Sequence, residues 1–339
     1  MARAAASLAR LQAVAAAKRV HRGLDLEQRV IESGGQVDIF DAIAELDIAL
    51  IFKPLTSALG FCLPAPLRGI MVTTLRSLQI QRFTAAHELG HVILEHTGSI
   101  DREQEILARD PFSWDKGDLQ EIQAEAFAAE FLLPRWLYIH HAKTQGWGTS
   151  HLRNPDIVYQ LSLRMGASYS ATCWGLAGHQ IINRADAGLL ALSKVAHIKN
   201  AVGKSFRPGN SWADVWRLTR RDSGLSVNGN PDDLVRFDLD EMVDGGYQWD
   251  FSELKSAGYE VLADESSFSR DPLHYGAPAQ RTVIARPLGP GVTRIRLQER
   301  QAGSEEADED SQFQMTLALE GKEDSGLSRA ERRRRGIRF

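Results

Sequence analysis

Two histidines and a glutamate near residue 90 have the types and the spacing that metal chemistry needs. His87, Glu88 and His91 form the pattern HELGH within a segment of helical periodicity. Side chains four positions apart on an α-helix differ by about 40° of rotation and roughly 6 Å of rise. Both imidazoles therefore leave one face and can bind a single zinc ion at about 2.0–2.1 Å. Glu88 can reach the attacking water as its general base, so the pattern predicts a catalytic zinc site.

The alternative is that His87 and His91 form an ordinary polar pair on an amphipathic helix. Leu89 and Gly90 are uncharged, and an apolar run at residues 92–94 follows the motif. Burying two histidines and a glutamate on such a helix is costly unless a metal or other partners compensate for the lost hydration. We therefore favour the zinc site.

A catalytic zinc site needs a third protein ligand and one open position. A second helix, predicted from about Leu119 to Leu133 and followed by Pro134, supplies the candidates. Glu121 and Glu125 lie on one face of this helix, together with Ala124, Ala128 and Ala129. The small alanines allow close approach to the histidine helix, so either glutamate can reach the metal. Spacing alone leaves both candidates open.

Other residues around the motif are predicted to have supporting roles. Arg82 and Thr84 precede it and are expected to orient the helix. His96 leaves the ligand face, which predicts a surface or supporting role rather than ligation. Cys62 is expected to be a small buried hydrophobic residue, with a thiolate that blocks the fourth zinc position as the alternative. The candidates for stabilising an oxyanion are Tyr138, His140, His141, Tyr159 and Tyr169.

The segments around the motif predict a small α+β unit. A helix that ends near Leu46 is followed by β-rich runs at residues 48–52, 60–63 and 69–74. The histidine helix, from about Leu78 to His96, and the glutamate helix come next. Residues 20–140 are therefore predicted to form a helix, a small sheet and two long helices.

The middle of the chain predicts a helical hairpin and then a linker. Two helical segments around Gly166, at 156–163 and 168–176, indicate a helix-turn-helix-like hairpin in which Ser168 caps the second helix. Residues 205–233 are rich in Gly, Pro, Asn and Ser. This composition predicts a linker that holds one short helix near residues 212–218.

The C-terminal part alternates between apolar and polar residues with a period of two. The alternation around Phe237, Ile295 and Met315 predicts half-buried strands of a small all-β domain. The chain then has six arginines between Arg329 and Arg338, which predict a frayed basic tail, with a specific contact site as the alternative.

Composition excludes several classes of function. The 339 residues carry 40 Lys and Arg against 44 Asp and Glu, a net charge of −4, which disfavours a dedicated nucleic-acid binder. Two cysteines, Cys62 and Cys173, predict a cytoplasmic protein without a disulfide framework. No apolar run has the roughly 18 residues of a membrane span. At the N-terminus, Leu8, Leu11 and Val14 recur at helical spacing and predict an amphipathic helix rather than a targeting segment.

The segments QRFTAAHELGH and EIQAEAFAAEFLLP together closely resemble the ImmA/IrrE family of zinc metallopeptidases, over about residues 20–140. The resemblance implies a zincin-like domain and a gluzincin-like zinc metalloendopeptidase of the HExxH type. In that family the third ligand is the glutamate that opens the second motif, thirteen residues before its proline. Counting back from Pro134 implies Glu121, with Glu125 polar but non-ligating.

The resemblance also implies a function for the site. Zn²⁺ is held by His87, His91 and Glu121, with Glu88 as the catalytic base. The implied substrate is a helix-turn-helix repressor or another regulator in stress responses, mobile elements or phage control. The alternative is a non-catalytic, metal-containing regulator that binds a repressor or DNA. The intact Glu88 argues against a purely structural metal, and the acidic balance argues against direct DNA binding.

Residues 233–320 more weakly resemble the chagasin-like inhibitors of cysteine peptidases, which are immunoglobulin-like sandwiches. The matching segments are 244–249, 275–278 and 297–300. The first loop of the inhibitors is replaced by Met-Val-Asp-Gly-Gly, and their Arg-Pro-Trp loop is absent. The resemblance therefore implies a sandwich for recognition or sensing rather than an active inhibitor.

These observations predict five parts of the chain. They are a zinc metallopeptidase domain at 1–150, a helix-turn-helix-like helical subdomain at 151–200, a linker at 201–232, a chagasin-like β-sandwich at 233–322 and a basic tail at 323–339. All proposed ligands lie between residues 87 and 121. We therefore expect the β domain to contribute nothing to the metal site, and a fragment ending near Asn200 to fold and bind zinc.

Overall fold

Helices dominate the first 200 residues of the chain, and strands dominate the remainder. The computed structural model describes residues 2–63, 68–96, 100–101, 118–241, 246–267, 279–301 and 307–337. The helices are α1 Ala2–Gly23, α2 Leu26–Ser33, α3 Ile39–Glu45, α4 Leu78–Ile93, α5 Leu119–Leu132, α6 Arg135–Gln145, α7 Pro155–Met165, α8 Tyr169–Gly178, α9 Arg184–Ala191, α10 Val195–Val202, α11 Ser252–Ser256 and α12 Arg329–Arg334. The strands are β1 Ala49–Lys53, β2 Gly60–Leu63, β3 Gly69–Thr73, β4 Ile100–Asp101, β5 Val215–Thr219, β6 Ser226–Asn228, β7 Leu234–Glu241, β8 Tyr247–Asp250, β9 Tyr259–Ser267, β10 Ala279–Pro287, β11 Gly291–Gln301, β12 Ala307–Leu319 and β13 Gly326–Leu327. The predicted α+β class is confirmed. In the described part of the chain, no helix combines the length and the apolar character that crossing a membrane requires.

The first sheet has five strands in the order β13-β1-β3-β2-β4. β1 and β3 are parallel, and β2 is antiparallel to both β3 and β4. The strands predicted at 48–52, 60–63 and 69–74 are therefore confirmed. Helix α4 packs against β2 and β3, so the sheet supports the helix that carries the HELGH motif.

Helix α1 confirms the predicted N-terminal helix, but alanines rather than the periodic leucines form its buried face. Leu8 and Leu11 are 57% and 65% exposed, whereas Ala13, Ala16 and Ala17 are fully buried. α1 packs along α5. Small side chains allow the two helix backbones to lie close together, and this contact selects the alanine face over the leucine face.

The helical hairpin is confirmed in α7 and α8. Ser168 caps α8 by accepting a hydrogen bond from the Ala171 N–H at 3.2 Å. Gly166 ends α7 with φ at 63°, a left-handed conformation that suits glycine. The turn between the two helices therefore has the geometry that its residue types specify.

The segment predicted as a linker contributes β5 and β6, and the helix predicted near residues 212–218 is wrong. β5 pairs in parallel with β7, and β6 pairs in parallel with β12. Val215, Trp216 and Leu218 are buried. A short run of β-forming residues becomes a strand here because β7, a later segment of the chain, supplies its partner.

The segment 201–232 is also fastened to the helical hairpin by buried polar contacts. Arg164 of α7 donates to Asp222 from both Nε and Nη2, at 3.0 and 2.7 Å, and to the Arg217 carbonyl at 2.8 Å. Gln145 of α6 also donates to Asp222, at 2.8 Å. Tyr159 donates to the Asp214 carboxylate at 2.9 Å. The hairpin and the β-rich region thus share one hydrogen-bonded junction.

The β-rich region consists of two four-stranded sheets that face each other. Their strand orders are β5-β7-β10-β9 and β6-β12-β11-β8. Phe237 of β7 and Phe313 of β12 meet edge to face, with ring centroids 5.9 Å apart, which joins the two sheets. The strands predicted from the alternating pattern are confirmed in β7, β11 and β12. Of the segments that resemble chagasin, residues 244–245 and 275–278 lie outside the described residues.

The C-terminal segment packs on the first sheet, and the prediction of a frayed tail is wrong for the described residues up to 337. β13 pairs antiparallel with β1, and the Ser328 N–H donates to the Leu50 carbonyl at 3.0 Å. Ser328 and Glu331 are buried, and α12 packs on α3. An edge strand has unpaired backbone groups, and here the tail supplies their partners.

Candidate metal centre

Three side chains predicted as ligands lie together between α4 and α5. His87 Nε2 and His91 Nε2 are 3.1 Å apart. Glu121 approaches them from α5, with Oε2 at 3.3 Å from His87 Nε2 and Oε1 at 3.5 Å from His91 Nε2. Both histidines are buried, and the Glu121 side chain is 14% exposed. Within the described residues, this is the cluster of His, Cys, Asp or Glu groups arranged to hold a metal ion.

The spacing of these donor atoms matches the geometry of a zinc site. A tetrahedral ion with bonds of 2.0–2.1 Å separates its ligand atoms by roughly 3.3 Å. The observed separations of 3.1, 3.3 and 3.5 Å lie around this value. Two imidazole nitrogens and one carboxylate form a donor set that zinc favours, and three protein ligands leave one position open. The residues therefore fit the implied metal.

Close packing of α4 on α5 brings Glu121 to the histidines. A Cβ added at Gly90 would lie 3.1 Å from Phe127 Cβ and 3.2 Å from Ala124 Cα. Ala124 and Ala128 are fully buried. The predicted role of the alanines in close approach is confirmed, and Gly90 has the same role on the facing helix.

Glu88 is fully buried next to strand β2. Its Oε1 lies 3.2 Å from the position of a Cβ at Gly60, and Thr84 Cγ2 lies 2.6 Å from that position. Gly60 therefore makes room for two α4 side chains that occur one helical turn apart. The Glu88 carboxylate therefore lies between α4 and β2.

Arg82 fixes the start of α4 to two other parts of the fold. It is buried and donates to the Gly166 carbonyl at 3.1 Å and to the Val37 carbonyl at 2.7 Å. Burial lowers the pKa of Arg82 to about 10, so the guanidinium is still charged at neutral pH. These contacts support the predicted role of Arg82 in orienting the helix.

Gln81 provides a second attachment, which the sequence did not predict. Its side chain is fully buried and donates to the carbonyls of Thr73 and Glu323, at 3.0 and 3.1 Å. Its own oxygen accepts from the Glu323 N–H at 2.8 Å. Gln81 and Glu323 are 242 positions apart in sequence, so no local pattern signals this contact.

His96 contacts one of the proposed metal ligands, His91, in agreement with the predicted supporting role. Its Nδ1 lies 2.9 Å from His91 Nδ1, and its Nε2 lies 3.0 Å from Gln123 Oε1. Burial lowers the pKa of His96, which favours the neutral ring at neutral pH.

The remaining candidates contact other parts of the fold. The Tyr159 hydroxyl binds Asp214, and the Tyr169 hydroxyl donates to the Leu190 carbonyl at 3.0 Å. Tyr138 is buried against Gly175 and His179, and its pKa is raised by burial. His141 is also buried, which lowers its pKa to about 3, and its ring packs against that of His140. Cys62 is buried on β2, as expected for a small hydrophobic residue.

A two-histidine helix with a carboxylate from the next helix defines a metallopeptidase-type centre. Residues 43–176 match the model of the family Peptidase_M78, described as the IrrE N-terminal-like domain. This segment of the chain is therefore similar to the IrrE N-terminal-like domain, in agreement with the resemblance of its motifs to the ImmA/IrrE peptidases. A comparison with curated proteins found no match.

Three solved structures are similar to parts of the chain, each at 17% sequence identity. A cysteine protease inhibitor, EhICP2 from Entamoeba histolytica, matches 31% of this chain and 93% of its own, with a TM-score of 0.26. Amebosin matches 30% of this chain and 94% of its own, with a TM-score of 0.24. A Mycobacterium tuberculosis transcriptional regulator matches 77% of this chain and 74% of its own, with a TM-score of 0.29. We draw no functional conclusion from likenesses of this size.

Proposed function

We propose that the protein is a gluzincin-like, zinc-dependent endopeptidase with His87, His91 and Glu121 as metal ligands. The observation that carries this proposal is the separation of the three donor groups, 3.1–3.5 Å, which suits one tetrahedral ion. The buried carboxylate of Glu88, adjacent in sequence to a ligand, supports catalysis over a purely structural metal. The family match supports a peptidase of the IrrE/ImmA type.

The protein side chains have separate tasks in the proposed hydrolysis. His87, His91 and Glu121 would hold the ion, which would supply Lewis-acid polarisation of the scissile carbonyl and lower the pKa of the attacking water. Glu88 accepts a proton from the attacking water and returns it to the leaving amine. Gly60 leaves the space in which the Glu88 carboxylate sits against β2.

We propose that the substrate lies in an extended conformation along the edge of the first sheet at which β4 lies. A peptide commonly binds a peptidase cleft by adding a strand to an exposed sheet edge. The other side of the sheet is already paired, because β13 covers β1. β2, which packs against the Glu88 carboxylate, is the neighbour of β4. This arrangement favours a scissile bond that lies next to the β4 edge of the sheet.

The proposed substrate is a helix-turn-helix transcriptional regulator, cleaved in a stress, mobile-element or phage-related response in the cytoplasm. The support for this assignment is the family match over residues 43–176. We propose that the β-rich region is an immunoglobulin-like sandwich that selects or senses a partner. The support for a role beside the peptidase domain is the junction, in which Arg164 donates to Asp222 at 3.0 and 2.7 Å.

The test is cleavage of a helix-turn-helix regulator encoded next to this protein's gene, with fragments identified by mass spectrometry. The zinc-loaded protein should cut the regulator, and a chelator should stop the reaction. Glu88→Gln should keep the metal but lose a factor on the order of 10²–10⁴ in rate, the usual contribution of a general base. Glu125→Gln is the matched control on α5 and should stay active.

Two outcomes would count against different parts of the proposal. Cleavage of an unstructured peptide but not of the regulator would reject the proposed substrate and keep the peptidase. Failure of the fully zinc-loaded protein to cut either one would reject the peptidase function itself.

A further inference from the structure

Three side chains form a hydrogen-bonded chain that ends on a metal ligand. His91 directs Nε2 towards His87 and Glu121, while its Nδ1 lies 2.9 Å from His96 Nδ1. His96 Nε2 lies 3.0 Å from Gln123 Oε1, and Gln123 donates to Gln12 Oε1 at 3.1 Å. The chain therefore connects α4 to α5 and then to α1.

When His91 binds a metal, each hydrogen bond of this hydrogen-bonded chain has a defined donor and a defined acceptor. A ligating imidazole is neutral, so a His91 that binds through Nε2 carries its proton on Nδ1. It then donates to His96 Nδ1, which leaves the His96 proton on Nε2 as a donor to Gln123 Oε1. The orientation of the Gln123 amide, with its nitrogen towards Gln12, agrees with this direction.

The end of α4 explains why His96 can reach a residue five positions earlier. Glu95 has φ at 56°, in the left-handed region. The His96 N–H donates to the His91 carbonyl at 3.0 Å, and the Glu95 N–H donates to the Val92 carbonyl at 3.3 Å. This is the bonding pattern of a Schellman helix end. It folds His96 back over the last turn of the helix, which brings its ring to His91.

We propose that His96 is a positioning residue, held by Gln123 and Gln12, that keeps His91 in the tautomer presenting Nε2 to the metal. This inference rests on the proposed metal site. Hydrogen-bond partners of metal-binding histidines typically contribute about 10–100-fold in metal affinity or activity. The effect should weaken along the chain, from His96 to Gln123 to Gln12, because each step is further from the metal.

The experiment measures metal affinity by chelator competition and the visible spectrum of the Co²⁺-loaded protein. His96→Phe keeps an aromatic ring but removes the acceptor, and it should weaken binding about 10–100-fold and shift the cobalt bands. Gln123→Leu should have a smaller effect in the same direction, and Gln12→Leu a smaller one still. His96→Gln retains an acceptor and should recover part of the loss. His197→Phe, at an exposed histidine on α10, is the matched control and should change nothing.

The possible results distinguish the role of His96 from the proposed peptidase function. Equal affinity and equal cobalt spectra in the wild type and His96→Phe would overturn the role of His96. If His96→Phe does not fold, Gln123→Leu decides: a shifted spectrum supports the role, and an unchanged one overturns it. A graded metal affinity without any peptide cleavage would support the positioning role and reject the peptidase. A wild type that binds neither Co²⁺ nor Zn²⁺ would overturn both.

Discussion

The metal centre and the junction around Arg164 are both buried polar clusters, but their charges are arranged differently. At the junction, a guanidinium faces a carboxylate, and the Arg164 and Asp222 side chains are 2% and 0% exposed. At the metal centre, two imidazole nitrogens and a carboxylate point at one another within 3.5 Å. The first arrangement neutralises itself, whereas the second gathers electron-pair donors around a point that suits a cation.

This difference indicates how to distinguish a structural polar cluster from a functional one. Arg164 is bonded by Asp222, the Gln160 and Arg217 carbonyls and the Gln160 side chain, so it joins α7 to the β-rich region. Such a cluster serves the fold, because removing either partner leaves a buried charge. Electron-pair donors that converge on one point, such as those of His87, His91 and Glu121, instead suit the binding of a cation.

Removing one of the two histidine ligands should give the largest effect, which is the loss of bound zinc. The wild type should carry about one zinc per chain, and His87→Ala or His91→Ala should lose it, because neither variant keeps two imidazoles on one helix face. Metal analysis of the purified proteins measures this. Zinc content that stays the same in both variants would show that the metal binds elsewhere.

The next prediction concerns which of the two glutamates of α5 is the third metal ligand. Glu121→Gln should weaken zinc affinity by more than the roughly 10–100-fold that a ligand's hydrogen-bond partner contributes, since it replaces a charged donor 3.3 Å from His87 Nε2. Glu125→Gln, on the same helix, should have little effect. Chelator competition gives the order of the two variants, and the reverse order would assign the third ligand to Glu125.

A substitution at the junction should act on stability and leave the metal in place. Arg164→Met should lower the free energy of unfolding by about 3–5 kcal/mol, because it leaves the Asp222 charge buried without its partner. Adding Asp222→Asn should recover part of the loss. Urea unfolding and zinc analysis of the folded fraction measure the two effects. Loss of zinc at unchanged stability would contradict the contrast between the clusters.

We expect a smaller loss of stability when the contact between the C-terminal segment and α4 is removed. Gln81→Leu should destabilise the protein by about 1–3 kcal/mol, because the backbone groups of Glu323 lose their buried partner. Gln79→Leu, two positions earlier on the same helix, is the control and should fall within about 0.5 kcal/mol of the wild type. Thermal unfolding measures both. Equal stability of the two variants would mean that this contact does not hold the helix.

The sequence predicts the cluster of His87, His91 and Glu121 well because the relevant signals are local. The spacing of His87 and His91, the alanine face of α5 and the cap at Ser168 each lie within a few turns of helix. The two histidines therefore share a face whatever the rest of the chain does. Glu121 needed the family register from Pro134, since periodicity allows Glu125 equally well.

The parts that the sequence did not predict depend on distant partners. β5 is a strand because β7 lies beside it, and β13 is a strand because β1 has an open edge. The fixed position of Glu323 against Gln81 also changes one expectation. A fragment that ends near Asn200 lacks both β13 and this contact, so we now expect it to fold less stably than the full chain.

X-ray absorption at the zinc edge of the wild-type protein tests the central claim most directly. The account predicts about one zinc per chain, with nitrogen and oxygen neighbours near 2.0–2.1 Å, two of them imidazoles. Glu121→Gln should change this first shell, while Glu125→Gln should leave it intact. A sulfur neighbour at about 2.3 Å would assign the fourth position to a cysteine such as Cys62. It would contradict an open catalytic site.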